Sequence, residues 1–447
     1  MIIIGGGSAG FSVIQELQGK KLKVALVENR QLGGSCPNFA CVPTKALVKC
    51  ASVLDTLNHA RDFGILCKGT GFDWRMVQKY RADRVSMTKA QDAKNELRKQ
   101  RIDLIWGTAS FLNPQEIAVG KKVYRGDQFA VTTGSRERLP EVAGTRTAGL
   151  LNSDQLIEVR DLPKSLSIIG GGPVGIEFAQ IFARFGVEVT ILTKNSEVLV
   201  REEPEVAKLA RQHLSKDGVR FVLDSEITSF NNIGRMKQIH FKRNGKIRRM
   251  EANQILVAMG RVANLDKLHL EFAGVKLTEK GIKTNRYLRT SQPHIYAAGD
   301  VVGNMLFTHV ASYEGSIVGQ NLLGRKIRVS YDIIPRGTFC DPEIGSVGIT
   351  EKEAKAEGRK IMTAVLPYGG GRGFIHADPE GLIKVVVDKT KRTILGGSVI
   401  GKGAVEFIHL LAIAMHGQLT ADDLSRMVYA FPSHVEALAG ITAILKY

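Results

Sequence analysis

One glycine pattern occurs twice in this chain, as Gly5-Gly6-Gly7-Ser8-Ala9-Gly10 and as Gly170-Gly171-Gly172-Pro173-Val174-Gly175, and it constrains the fold more than any other feature. Each copy follows a short apolar run, Ile2–Ile4 in the first and Leu166–Ile169 in the second. Each precedes a helix-like segment, Phe11–Leu17 or Ile176–Phe185, and then a second apolar run, Lys23–Val27 or Glu188–Leu192. Strand, G-x-G-x-x-G turn, helix and second strand form the unit in which a dinucleotide pyrophosphate rests on a helix N-terminus. The glycines (Gly5, Gly7, Gly10; Gly170, Gly172, Gly175) allow the tight turn, the approach of phosphate to backbone N–H groups, and close helix–strand packing. One such turn is common in proteins. Two full copies, 165 residues apart, predict an α/β protein with two Rossmann-like dinucleotide-binding domains.

The two copies differ where the ribose is read. In the first, the second strand ends at Glu28, eighteen residues after Gly10. A carboxylate there accepts hydrogen bonds from ribose hydroxyls, which suits the adenosine half of FAD. In the second copy the same place holds Thr193, followed by Lys194, with Arg201 close in sequence. Exchanging an acid for a cation favours a 2′-phosphate, so the expectation is NADP(H) in preference to NAD(H).

At 447 residues the chain is too long for one compact core. No stretch reaches the roughly 18–20 apolar residues of a membrane span. The opening Met-Ile-Ile-Ile is too short for a signal-peptide core, and a cytoplasmic protein without membrane contact is expected. The net charge is +18, but the basic residues are dispersed and the run Lys242–Arg249 is short. That distribution argues for attraction of anionic small molecules over nucleic-acid binding.

The five cysteines, Cys36, Cys41, Cys50, Cys67 and Cys340, are too few and too scattered for a disulfide scaffold. Two of them share the segment Gly33-Gly34-Ser35-Cys36-Pro37-Asn38-Phe39-Ala40-Cys41-Val42-Pro43-Thr44-Lys45. Two cysteines with four residues between them can be bridged if the segment bends, and its glycines and prolines permit a bend. A structural zinc needs about four ligands in closely spaced pairs, and no second pair is present, so no metal site is expected. A chance pair of buried cysteines remains the plain alternative.

The first fingerprint, the C-x4-C-x-P-[ST]-K segment and the second fingerprint together resemble the class I pyridine nucleotide-disulfide oxidoreductases, the flavoprotein disulfide reductases. The resemblance runs along essentially the whole chain. Thr132-Thr133-Gly134-Ser135 and Ala258-Met259-Gly260-Arg261 look like that family's domain-crossing glycine segments. Ile295-Tyr296-Ala297-Ala298-Gly299-Asp300 resembles its second flavin motif, whose aspartate holds the ribitol chain. Ala311–Gly315 resembles the helix start beneath the isoalloxazine, and Asp341–Gly348 the opening of the dimerisation domain.

The resemblance implies that NADPH reduces FAD and that the flavin opens a Cys36–Cys41 disulfide. Cys41 would be the flavin-facing thiolate and Cys36 the thiol that attacks the substrate. Lys45 would sit beside the flavin with Glu177 as its carboxylate partner. Lys45 follows Cys41 by four residues, so on a helix the two share a face, where an ammonium favours a thiolate. The flavin-binding set would be Gly5, Gly7, Gly10, Glu28, Gly34, Ser35, Lys45, Thr133, Gly134, Gly299, Asp300 and Ala311. The nicotinamide-nucleotide set would be Gly170, Gly172, Gly175, Thr193, Lys194, Gly260 and Arg261.

The pattern breaks near the C-terminus. Disulfide-reducing members carry a His-Pro…Glu segment that reaches the partner subunit and protonates the leaving thiolate. Here the segment reads Tyr429-Ala430-Phe431-Pro432-Ser433-His434-Val435-Glu436, with Phe431 in the histidine's place and Glu436 at the family spacing. Either His434 substitutes as the acid, or the acceptor needs none. Arg201-Glu202-Glu203-Pro204 looks like the mercuric-reducing members, yet the chain ends Ala443-Ile444-Leu445-Lys446-Tyr447 without their paired cysteines.

The expected architecture is an FAD domain over 1–145 and 266–331, an inserted NAD(P) domain over 146–265, and a C-terminal α+β dimerisation domain over 332–447. In the last, strands Leu382–Val387 and Ile394–Ile400 precede a helix Val405–His416. A homodimer with its active site completed across the interface is implied. Three functions compete: reduction of a small or protein disulfide, reduction of a metal ion or quinone by the same dithiol, and a non-catalytic flavoprotein component.

Overall fold

The computed structural model describes residues 1–67, 69, 71–368, 370–376 and 380–445, so the last two residues of the C-terminal tail lie outside the described ones. The chain divides into two compact units. The first comprises Met1–Ala46, Arg75–Arg138 and Gly260–Ser330. The second comprises Leu47–Trp74, Leu139–Met259 and Tyr331–Tyr447.

The first unit is built on a five-stranded sheet in the order Ile295–Ala297, Phe129–Val131, Ile2–Ile4, Ala25–Glu28, Asp103–Trp106, every pair parallel. Its central strands are short apolar runs because both faces are covered: Ile2–Ile4 and Phe129–Val131 are buried throughout. Helix Ser8–Leu17 covers one face with Ala9, Val13, Ile14 and Leu17, and there it meets helix Thr308–Leu322. The crossing is close because Gly315 faces the carbonyl of Ala9, where an added Cβ would lie 2.3 Å from that oxygen. The other face is closed by the antiparallel ribbon Ala109–Asn113, Glu116–Val119, Lys122–Arg125.

The second unit repeats this plan and adds to it. A parallel sheet in the order Arg220–Val222, Glu188–Leu192, Ser165–Ile169, Gln254–Val257 carries helix Pro173–Arg184. The meander Glu226–Ile233, Met236–Arg243, Lys246–Ala252 packs Phe230, Ile239 and Phe241 against Ile169, Leu192 and Ile255. After it comes an antiparallel sheet in the order Arg336–Thr338, Glu343–Gly348, Ile394–Gly401, Leu382–Asp388, Ile361–Pro367. Helix Ala404–His416 lies on that sheet through Phe407, Ile408 and Leu411.

A buried ionic cluster ties the two parts of this unit together. Lys384, on strand Leu382–Asp388, has a side chain only 3% exposed, and its Nζ reaches Glu203 Oε2 at 3.0 Å, Glu205 Oε1 at 2.9 Å and Glu351 Oε2 at 2.6 Å. Glu203 caps the start of helix Pro204–Lys216, and its neighbour Glu202 pairs with Arg336 at 3.5 Å and accepts from the Ser346 hydroxyl. The acids of the Arg201–Pro204 stretch therefore anchor the nucleotide-binding part to the C-terminal sheet. Burial acts to lower the Lys384 pKa, but the three carboxylates outweigh it and raise the value. With its folded value above the unfolded one, the lysine's contribution is complete at neutral pH and is lost only as strong alkali deprotonates it. Lys384→Met leaves Glu203 buried and unpaired, a loss of about 3–5 kcal/mol for a broken buried pair. The expected outcome is a lowered urea midpoint for the C-terminal sheet, read by hydrogen exchange on Leu382–Asp388.

Candidate active site

In the first unit, the fingerprint turn is held by backbone contacts that admit no side chain. Gly5 has φ +108°, and a Cβ there would lie 2.4 Å from the carbonyl oxygen of Thr132; one on Gly10 would lie 2.1 Å from that of Gly5. Thr132 Oγ1 donates to Gly5 O at 2.7 Å and closes the same junction. A Cβ on Gly34, whose φ is +69°, would come within 2.8 Å of Gly7 Cα, so the dithiol loop crosses the fingerprint backbone on backbone. Helix Ser8–Leu17 has no side-chain cap and no acid in its first turn, which leaves its N–H groups open to an anion.

Glu28 is buried, and its carboxylate is fixed by three backbone donors: Gly6 N to Oε2 at 2.7 Å, and Asn29 N and Arg30 N to Oε1 at 2.9 and 2.7 Å. A carboxylate has about four acceptor positions, so one remains on Oε2 for a ribose hydroxyl. Asp300 Oδ2 accepts from Ser135 Oγ at 2.5 Å, and Ser135 Oγ in turn accepts from Arg261 Nε at 2.7 Å. Arg261 also donates to Glu137 Oε1 at 3.0 Å. The Gly299 turn, at φ +80°, brings Ala9 and Ala311 within 3.2 and 3.3 Å of its Cβ position. Thr133 and Gly134 are tied to Asn264, which donates from Nδ2 to Thr133 O at 3.0 Å and from its backbone N to Gly134 O at 2.9 Å. Gly5, Gly7, Gly10, Gly34 and Glu28 thus meet at one turn of bare backbone and helix N-terminus, a fit for an extended diphosphate.

Cys36 lies on the short helix Ser35–Asn38, and Cys41 begins helix Cys41–Asn58, with Lys45 one turn further along. Asn38, which is buried, locks the intervening loop by donating from Nδ2 to Leu32 O at 2.9 Å and to Gly34 O at 2.8 Å. The two thiols are hydrogen-bonded to each other. That bond and burial push the Cys36 thiol well above its ordinary value, while Thr308 and the Lys45 ammonium pull it back. Cys41 Sγ sits 3.4 Å from Thr308 Oγ1, at the first residue of a fifteen-residue helix with no acid in its first turn. The positive end of that helix and the hydroxyl both favour a thiolate.

The second unit reproduces the cradle. Gly170 has φ +117°, with a Cβ position 2.2 Å from Ala258 O, and that of Gly175 is 2.1 Å from Gly170 O. Helix Pro173–Arg184 has neither a side-chain cap nor an acid in its first turn, and Gly172 faces open space. Thr193 is buried and its Oγ1 accepts from Asn195 N at 3.3 Å, whereas Lys194 and Arg201 are exposed. Glu177 is buried, with Oε1 accepting from the backbone N of Phe339 at 2.9 Å. Near the C-terminus, His434 stacks on buried Tyr368 at 4.3 Å between centroids and 10° between planes, with His376 edge-on at 6.2 Å. Glu436 packs its carboxylate against Gly371, while Phe431 is 81% exposed.

Comparison with known proteins agrees with this geometry. Residues 1–315 match the pyridine nucleotide-disulphide oxidoreductase family and residues 334–440 its dimerisation domain. This chain belongs to that family. It is 33% identical to a dihydrolipoyl dehydrogenase of Bacillus subtilis over 98% of this chain and 96% of that one. It is 32% identical to a mercuric reductase of Staphylococcus aureus over 98% and 81%. The HOCl-induced flavoprotein disulfide reductase RclA of Escherichia coli, also solved as a Cu(II) complex, superposes with a TM-score of 0.88 at 29% identity, covering 99% of both chains. The protein is therefore an FAD-containing oxidoreductase that moves electrons from a pyridine nucleotide through flavin to a redox-active dithiol, and the α/β architecture with two Rossmann-like domains is that of its relatives. No helix among the described residues is long and apolar enough to cross a membrane.

Sequence reasoning passed over Thr308 and Asn38, and it named Arg261 and Asp300 in separate sets without the Ser135 hydroxyl that links them. Asn38 lies inside the quoted motif, and its polar side chain in a tight loop was the available signal. Thr308→Val removes the hydroxyl beside the thiols but keeps the volume. The pH midpoint for alkylation of the reduced pair by iodoacetamide should rise by about one unit; an unmoved midpoint would show that the hydroxyl does not tune them.

Proposed function

We propose that the electrons come from NADPH in preference to NADH and leave through Cys36 to an acceptor that reacts directly with thiols. The observation that most supports the dithiol route is the free thiol pair itself: Cys36 hydrogen-bonded to Cys41, and Cys41 against the N-terminus of the Thr308 helix. Bound FAD supplies the exchange of an electron pair between a nicotinamide hydride and this dithiol. In this reading Cys41 is the thiol held as an anion by the helix end and by Lys45, and Cys36 is the attacking thiol. Glu177, fixed by Phe339 N, takes the carboxylate role.

With a disulfide acceptor, Cys36 attacks one sulfur and the other leaves as a thiolate that takes a proton. Cys41 then closes the Cys36–Cys41 bond and releases the second acceptor thiol, so two electrons leave the dithiol and two thiols form. A positioned acid is worth roughly 10²–10⁴-fold in such a step. Phe431 stands where the family places that acid and has no proton to give, and the imidazole of His434 lies flat on Tyr368.

That substitution favours a second reading, a thiophilic metal ion as acceptor. Two Cu(II) ions each take one electron while the Cys41 thiolate and the Cys36 thiol close to a disulfide and release one proton, so no acid is required. The Cu(II) complex of RclA and the mercuric reductase relatives support this reading. We further propose a homodimer through the C-terminal domain, in which Tyr429–Glu436 completes the partner's site. Val428, 97% exposed, and Phe431 are apolar side chains that such an interface would cover.

The test is anaerobic turnover with NADPH against glutathione disulfide, lipoamide, mercuric and cupric ions and a quinone. Wild type should turn over the metal ions fastest. Phe431→His should raise disulfide turnover by up to about 10²-fold and leave Cu(II) turnover unchanged; no gain would remove the argument from the missing acid. For the cofactor, Lys194→Glu should lower kcat/KM for NADPH relative to NADH by about tenfold, and an unchanged ratio would remove the argument from Lys194.

A further inference from the structure

Between residues 235 and 249 the chain carries seven Lys and Arg and no Asp or Glu. Strand pairing folds this stretch into the hairpin of Met236–Arg243 and Lys246–Ala252. An open cavity of about 580 Å³ lies there, lined by Val222, His240, Phe241, Arg243, Arg248 and Arg249 among others, with no carboxylate in its lining. Arg248 lies directly across from Phe241, and Arg243 two residues beyond Phe241, so both share the face of that ring. Arg243 Nε is shielded from solvent and has no hydrogen-bond partner among the described residues. A buried unpaired guanidinium donor is costly, and an anion is its natural complement.

The position of the cavity narrows the class of anion. Val222 ends an edge strand and pairs in register with Leu192, and its carbonyl accepts from Thr193 N at 3.1 Å. The cavity wall is thus one residue across from the position at which the second fingerprint reads an adenosine ribose. Guanidinium groups bind phosphate through paired donors.

We propose that this cavity binds a phosphate monoester of adenosine through Arg243 and Arg248. Two sources share that chemistry: the 2′-phosphoadenosine end of NADPH, which rests on the NADPH reading above, and a separate adenosine phosphate, which does not.

The experiment titrates 2′,5′-ADP into FAD-loaded wild type and the Arg243→Gln/Arg248→Gln variant by calorimetry, with Arg235→Gln as a hairpin control outside the cavity. The double variant should bind about tenfold more weakly or worse, and the control should match wild type. If 2′,5′-ADP competes with NADPH, and the double variant raises KM for NADPH while KM for NADH stays put, the source is NADPH. If one further equivalent binds in the presence of saturating NADPH and is lost in the double variant, the source is a separate nucleotide. Equal binding by wild type and double variant, or an equal loss in Arg235→Gln, overturns the proposal. The wild-type ratio of kcat/KM for NADPH and NADH separates the two readings: a ratio near one refutes the cofactor preference alone, because 2′,5′-ADP binding still reports on the hairpin arginines.

Discussion

The contact of Gly5 with the carbonyl of Thr132, repeated by Gly170 and the carbonyl of Ala258, is the constraint on which both nucleotide sites depend. In each, a strand turns into a helix so tightly that a methyl group would overlap a neighbouring backbone oxygen. The turn leaves helix N–H groups open at the sheet's carboxyl edge, where a diphosphate can take them. The duplication reaches further than the glycines. Gly33 N donates to Gly6 O at 2.8 Å in the first copy, and Leu199 N donates to Gly171 O at 2.8 Å in the second. Leu199 holds φ +49° at the place where Gly33 holds +88°, a conformation that costs a leucine free energy. A residue kept in that conformation without glycine's freedom shows how firmly the surrounding turn dictates the path.

The same loop serves the chemistry. Gly34 lies against Gly7, so the segment bearing Cys36 and Cys41 is seated on the fingerprint turn itself. Helix Thr308–Leu322 is pressed onto helix Ser8–Leu17 through Gly315 and Ala9, which sets its N-terminus beside Cys41. Glycines that make room for a cofactor and glycines that place a helix end at a thiol are parts of one packing arrangement.

Features encoded within a dozen residues were legible in the sequence: both fingerprints, Glu28 at a strand end, and the C-x4-C loop with Lys45 one helical turn on. What was not legible depends on long-range pairing. Thr308 is 267 residues from Cys41 in sequence, and nothing local marks it. Lys384 sits in an apolar run, where a lone cation suggests an outward-facing position; only the gathering of Glu203, Glu205 and Glu351 makes its burial tolerable. The run Lys242–Arg249 reads as a short charged stretch because one-dimensional spacing does not show that Arg248 faces Phe241 and that both face Val222. Pairing converts dispersed charge into a cavity.

Charge placement also bears on the reaction. Six acids of the second unit are held by two cations: Arg184 takes Asp55, Asp217 and Asp341, and Lys384 takes Glu203, Glu205 and Glu351. The hairpin arginines and Lys194 are left facing solvent or a cavity with no carboxylate in its lining. A surface arranged in this way draws phosphorylated ligands toward the nucleotide edge. The thiols answer to a different field, a helix N-terminus, a hydroxyl and Lys45, which stabilises a thiolate without supplying a proton to a leaving group. An electron donor that is well charged but poorly equipped with acid suits acceptors whose reduction consumes no proton. Thiophilic metal ions meet that condition, and disulfides meet it only when solvent or the acceptor itself brings the proton.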